Sequence, residues 1–292
     1  MAVNISNDPY YNDLYYSKPF GYTILETPYF QGFEFEKIDY LGWQQYILEN
    51  WQLAFYASAV YITSIFGIQR LMRDRKAFEL KTPLFIWNML LGILSIIGFI
   101  RVLPGFYTVL SEPNGLYNSI CVKKGLDIPS IYWAIAFAVS KFVELGDTLF
   151  IVLRKRPLIF LQWYHHLVTL LVVWTTAPFV EPIVRWYGVL NAGVHSLMYP
   201  YFALRAIGVK IPSYVANFIT TMQFSQMLIG FAVNMASWYF QHNGYDCERH
   251  PLSIKIFVFV YGTFIFLFGK LFYDSVIKSG RKQKEKTKSK AN

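Results

Sequence analysis

The sequence predicts an all-α membrane protein of seven transmembrane helices, amino terminus lumenal and carboxyl terminus cytosolic. Three observations predict it. The 292 residues are 54% hydrophobic and 15% charged, with a mean hydropathy of +0.31, whereas soluble domains carry about 25% charged residues. Seven apolar stretches approach or exceed the roughly 20 residues that cross a bilayer core. Lys and Arg are unevenly shared between the segments joining those stretches.

Residues 1–50 are an aromatic, polar arm (DPYYNDLYY, then FGYTILETPYFQGFEF) with no apolar run behind a basic start. It reads as a folded lumenal segment rather than a cleavable signal. The spans follow at 52–69, 83–103, 131–153, 158–177, 184–204, 213–239 and 254–277. Pro178, Glu181 and Pro182 crowd the junction of the fourth and fifth. The spans form one membrane domain, residues 51–278, without internal repeats, and residues 279–292 are a basic tail.

Orientation follows from charge. The segments after spans one, three, five and seven hold 17 Lys and Arg, against 8 on the opposite side, and the positive-inside rule puts the richer side in the cytosol. The net charge of +9 is therefore topological and does not indicate a nucleic-acid partner. Cys121 and Cys247, the only two cysteines, both fall in lumenal loops, where a disulfide between them is expected to persist. Asn4-Ile5-Ser6 is a glycosylation acceptor on the lumenal arm. Lys288 and Lys290 resemble a dilysine retrieval signal, which with the topology points to the endoplasmic reticulum membrane.

Ionisable groups inside spans cost several kcal/mol unless paired or hydrated, so they are functional candidates. Lys141, Glu144 and Asp147 recur every third residue on span three and share a face. Span four carries Gln162, His165 and His166; span five carries Asn191, His195 and Tyr199; span six carries Thr220, Gln223 and Gln226. By helical rise, Asp147, His165, His195 and Gln223 lie roughly 10 to 20 Å inside the cytosolic ends of their helices. Four helices thus bring polar groups to similar depth, as one buried site opening to the cytosol requires. Neither cysteine reaches this depth, which leaves histidine as nucleophile or base, oriented by carboxylates and amides. Two other readings stay open. One is a seven-helix zinc lipid amidase, with Asp147, His195 and one of His165 and His166 on the metal; the other is a receptor or transporter.

The stretches Lys141-x-x-Glu144-x-x-Asp147-Thr148, Gln162-x-x-His165-His166, Asn191-x-x-x-His195-x-x-Met198-Tyr199 and Thr220-x-x-Gln223-x-x-Gln226 resemble the ordered signatures of the ELO fatty acid elongases. The resemblance covers about residues 45 to 278. RKAFEL at 75–80, ELGDT at 144–148 and YFALRA at 201–206 are most similar to the subgroup acting on saturated and monounsaturated long chains. It implies an acyltransferase that condenses a long-chain acyl-CoA with malonyl-CoA to 3-oxoacyl-CoA, releasing carbon dioxide and CoA, with no metal or other cofactor. By the same resemblance His165 takes the acyl group, and His166 and His195 move protons or hold the carbonyl. Glu144 and Asp147 orient imidazoles, while Asn191, Gln223 and Gln226 donate to developing oxyanions. It implies a ketoreductase, a dehydratase and an enoyl reductase as partners. The chain departs from the pattern at Gln162, where histidine is usual, and at Pro200 and Phe202, where tyrosines are. Gln162 can still hydrogen-bond a neighbouring histidine or the substrate.

Two lysines have dual readings. Lys141 either meets CoA or pairs with Glu144 or Asp147 across one turn. Lys270 either snorkels to the interface or binds CoA. Arg70, Arg73, Arg154, Arg156 and Arg205 could receive CoA phosphates, although topology alone accounts for them.

Overall fold

The computed structural model describes residues 31–123, 126–278 and 280, a set of helices joined by short turns and loops, with no strand among them. Asn4, Lys288, Lys290 and most of the arm and tail lie outside the described residues.

After a short 3-10 turn at Glu34–Glu36 come α1 (Tyr40–Glu49), α2 (Leu53–Leu71), α3 (Lys81–Ser111) and α4 (Gly115–Cys121). Then follow α5 (Ile128–Glu144), α6 (Gly146–Leu153), α7 (Phe160–Thr176), α8 (Val184–Ala206), α9 (Ser213–His242) and α10 (Pro251–Phe272). Local chemistry sets several boundaries. Asp39 and Asp127 accept the Gly42 and Ser130 amides at the starts of α1 and α5, supplying bonds that a first turn lacks. Pro129 and Pro251 occupy the first turns of α5 and α10, where a missing N–H costs nothing.

Two expected spans are redrawn. The third is not one helix: it breaks at Leu145 into α5 and α6. Gly146 follows that break because Trp87 presses on it; a Cβ there would lie 2.6 Å from the indole. The second runs past its expected end at 103, through Pro104, to Ser111.

Six helical units close a ring in the order α3, α8, α9, α10, α7 and α5, with α5 returning to α3. The α2 helix stands outside, against α6 and α7. Close approach of α3 to α8 rests on small residues, as in other membrane bundles: Gly92 meets Pro200, and Gly193 meets Phe99. Polarity is inverted relative to a soluble protein. Phe259 and Phe266 of α10 are 69% and 74% exposed, whereas Lys141 and Glu144 are 3% and 4% exposed. An apolar exterior around a polar interior is what a lipid surround selects.

Length and composition alone qualify Lys81–Ser111 and Pro251–Lys278 to cross a membrane. The pair Glu34–Glu49 and Leu53–Leu71, bent by 60°, also passes when taken as one broken span. The other ring helices are shorter or carry the polar residues singled out above.

Beyond α4, one end of the bundle is cross-linked. Cys121 and Cys247 form the expected disulfide. Beside it, Arg249 donates through Nε and Nη2 to Glu181 Oε2 at 3.0 and 2.9 Å. Ser253 Oγ and the His250 amide also donate to Glu181, so this buried pair has its remaining lone pairs satisfied. That network explains the crowded junction between spans four and five.

Candidate active site

A cavity of about 540 Å³ lies inside the ring towards the ends of α6 and α8. Glu144, Asp147, Gln162, His165, His166, Asn191, His195, Tyr199, Thr220, Gln223 and Gln226 all line it. Lys141 does not; it reaches a small adjoining cavity that His165, Asn191 and Gln226 also line. Arg154, Arg156 and Arg205 border the larger space, and they mark one end of it as cationic.

The helices aim these groups because positions three or four apart share a face. Lys141 Nζ donates to Glu144 Oε1 at 2.7 Å and to Asn191 Oδ1 at 3.3 Å. The pair with Glu144, one of the two readings of Lys141, is formed. Ammonium is only a donor, so it fixes the Asn191 amide with its oxygen towards Lys141. The Asn191 nitrogen therefore faces His195 Nε2, at 3.1 Å, and His195 accepts there. Its proton sits on the opposite ring nitrogen.

Gln162 Nε2 lies 2.9 Å from His166 Nε2, so the amide holds one imidazole across a helical turn. Asp147 is held from two other helices. Trp87 Nε1 donates to its Oδ1 at 2.6 Å, and Tyr199 Oη to its Oδ2 at 3.0 Å. His166 Nε2 stands 3.8 Å from that Oδ2, an electrostatic rather than hydrogen-bonding distance. Next to Asp147, Thr148 bonds Tyr61 Oη at 2.8 Å and ties α2 to the ring. Gln223 reaches Met198 Sδ at 3.1 Å.

His165 differs from the other two histidines. Its Nδ1 is buried and has no hydrogen-bond partner among the described residues. The rings of Phe264 and Phe268 pack 4.9 and 5.4 Å from its own. Two imidazoles are thus committed to amides, and the third keeps a free nitrogen. No group of three His, Cys, Asp or Glu side chains among the described residues is placed to hold a metal ion. The trio weighed as zinc ligands is not such a group.

A second cavity, of about 190 Å³, meets the first at Glu144, Asn191, His195 and Tyr199. It runs between α3, α5 and α8 as far as Arg185. Tyr199 and Arg185 are 14 residues apart on α8, roughly 21 Å of helical rise. Apart from the shared end, Arg185 and a few serines, its walls are apolar.

Trp87, Tyr61 and Phe268 were not anticipated as site residues. An indole or phenol in an apolar stretch looks like any lipid-facing ring, and only the fold shows which carboxylate or hydroxyl it meets. Lys270 pairs with Asp274 at 2.8 Å, well exposed.

Comparison with known proteins finds named relatives over most of the chain. The chain is 39% identical over 241 residues to "Very long chain fatty acid elongase 6" of Drosophila melanogaster, covering 81% of this chain and 76% of the relative. It is 40% identical over 259 residues to the Homo sapiens protein of the same name, covering 86% and 95%. It is 36% identical over 246 residues to "Very long chain fatty acid elongase 3" of Homo sapiens, covering 82% and 88%. Residues 46–284 match the family described as ELO: GNS1/SUR4 family. By that match and those relatives, this multi-pass membrane protein belongs to the ELO (GNS1/SUR4) family.

Proposed function

We propose that the chain is a 3-oxoacyl-CoA synthase of the endoplasmic reticulum membrane, condensing a long-chain acyl-CoA with malonyl-CoA. The observation that carries this reading is the uncommitted nitrogen of His165, buried where a cation-bordered cavity meets apolar space. A thioester enters with its CoA phosphates near Arg154, Arg156 and Arg205, where guanidinium groups suit phosphate, and its acyl chain in the second, narrow cavity between α3, α5 and α8.

The reaction then has two halves. A neutral His165 ring nitrogen attacks the thioester carbonyl; a C–N bond forms, the C–S bond breaks, and CoA leaves as a thiol with the imidazole's proton. His166 and His195, held by Gln162 and Asn191, pass that proton. Malonyl-CoA next loses carbon dioxide, and the resulting C2 carbanion attacks the acyl-imidazole carbonyl. The C–N bond breaks, a proton from water reaching the cavity returns the His165 imidazolate to neutral imidazole, and 3-oxoacyl-CoA departs. Gln223, Gln226 and the Asn191 amide face the space where oxyanion charge develops. Acyl-CoA and malonyl-CoA are substrates, and no resident cofactor enters.

The same reading gives seven spans, with the arm and disulfide lumenal and the arginine-bordered mouth cytosolic, where both thioesters are soluble. A ketoreductase, a dehydratase and an enoyl reductase must act on the product to complete a two-carbon extension. Membranes containing the protein are expected to incorporate labelled malonyl-CoA into longer acyl chains, and cells lacking it to lose those chains from their fatty acid profile. Full incorporation by His165→Ala, or none by the native chain across long-chain acyl-CoAs, would remove this reading.

A further inference from the structure

Resting on the condensing reading, we propose that Trp133 limits the acyl chains the narrow cavity accepts, with Glu36 and Arg101 acting through it as positioning residues. Trp133 lines that cavity on α5, 11 residues before Glu144 and so roughly 16 Å from the catalytic end. That is about the depth of one leaflet of a ~30 Å hydrocarbon core, so the methyl end of a long chain arrives beside the indole. On its other side the ring is backed by α3. A Cβ at Gly98 would sit 2.9 Å from Trp133 Cε3, which leaves no room to retreat in that direction.

The indole is also tied. Its Nε1 donates to Glu36 Oε1 at 2.8 Å. Glu36 comes from the 3-10 turn ahead of α1 and is 1% exposed. Arg101 of α3 donates to Oε1 through Nε at 2.9 Å and to Oε2 through Nη2 at 2.5 Å. The Phe33 amide adds a bond to Oε2 at 2.9 Å, and the Arg101 guanidinium lies 4.2 Å over the Phe33 ring. The arginine and amide contacts are enough to dock the turn. The bond to Trp133 goes further, because it fixes the angle of a ring that forms the cavity wall. No catalytic signature contains Glu36, Arg101 or Trp133.

The test uses the full chain in microsomes, given acyl-CoAs of increasing length and labelled malonyl-CoA. Each product profile is normalised to its own total, which loss of folded protein does not alter. In Trp133→Ala the yield from the next two-carbon-longer substrate, relative to the native optimum, should rise roughly tenfold, the worth of burying two more methylenes. Trp133→Phe, which keeps a ring but loses the N–H, should move the same way by less. Glu36→Ala should match Trp133→Phe and add nothing in that background. Binding of non-reactive acyl-CoA thioethers to purified protein reads the same preference without turnover. A native-like length profile in both Trp133 variants, in turnover or in thioether binding, would overturn the proposal. So would an additive Glu36→Ala effect. If the native chain binds the thioether series with the expected preference yet forms no labelled product, the condensing reading fails while this assignment stands.

Discussion

Replacing Lys141 with methionine tests how the site is held together. The Lys141–Glu144 pair is 2.7 Å long, with side chains only 3% and 6% exposed. Solvent therefore screens it little, and deleting one partner leaves a carboxylate buried with only the Ser140 hydroxyl, 2.8 Å away, as donor. Such a deletion costs about 3–5 kcal/mol, a large part of a typical stability of about 5–15 kcal/mol. The methionine nearly matches lysine in volume, so little of the loss is packing. Removing the stranded charge as well, in Lys141→Met/Glu144→Gln, should restore more than half of it. Denaturant unfolding of the purified protein in mild detergent measures both. The reasoning is refuted if Lys141→Met costs under ~1 kcal/mol, the worth of an exposed pair, or if the double variant is no more stable than the single one.

Other outcomes follow from single contacts. Gln162→Ala removes one neutral hydrogen bond to His166, so condensation should fall by no more than about tenfold; complete loss in a folded variant would make Gln162 essential. Reducing the Cys121–Cys247 bond, whose ends are 126 residues apart, should lower stability by about 2–5 kcal/mol, and unchanged melting in reductant would contradict that. His250 is pushed below its ordinary value of 6.5 by burial, against an opposing pull from Glu181, and its Nδ1 accepts the Leu252 amide. Its neutral form is the one the fold favours. Its contribution should therefore be complete above about pH 6.5 and decline as pH falls below that. Melting profiles of the native chain and His250→Asn should diverge there, and parallel curves would dismiss this role.

Much of the site is legible in the chain because 3.6-residue periodicity labels a helical face. Lys141, Glu144 and Asp147 on one span, and Thr220, Gln223 and Gln226 on another, stand out as polar rows in apolar surroundings. What escapes is every contact joining residues remote in sequence. Trp87 and Asp147 are 60 positions apart, Tyr61 and Thr148 87, Arg101 and Glu36 65, Arg249 and Glu181 68. Nothing local marks Trp87 as a carboxylate donor or Glu36 as the partner of a membrane tryptophan. The helix ends fail for a different reason. The span expected to end at 103 runs on as α3 through Pro104 to Ser111, and the break at Leu145 has no proline to announce it; Gly146 is needed there only because a distant indole presses on it.

The most direct measurement of the central claim is the intact mass of the protein after incubation with a long-chain acyl-CoA and no malonyl-CoA. A covalent acyl adduct should form on His165, disappear when malonyl-CoA is added, and be absent from His165→Ala. An adduct that persists in that variant, or maps to another residue, would contradict the account.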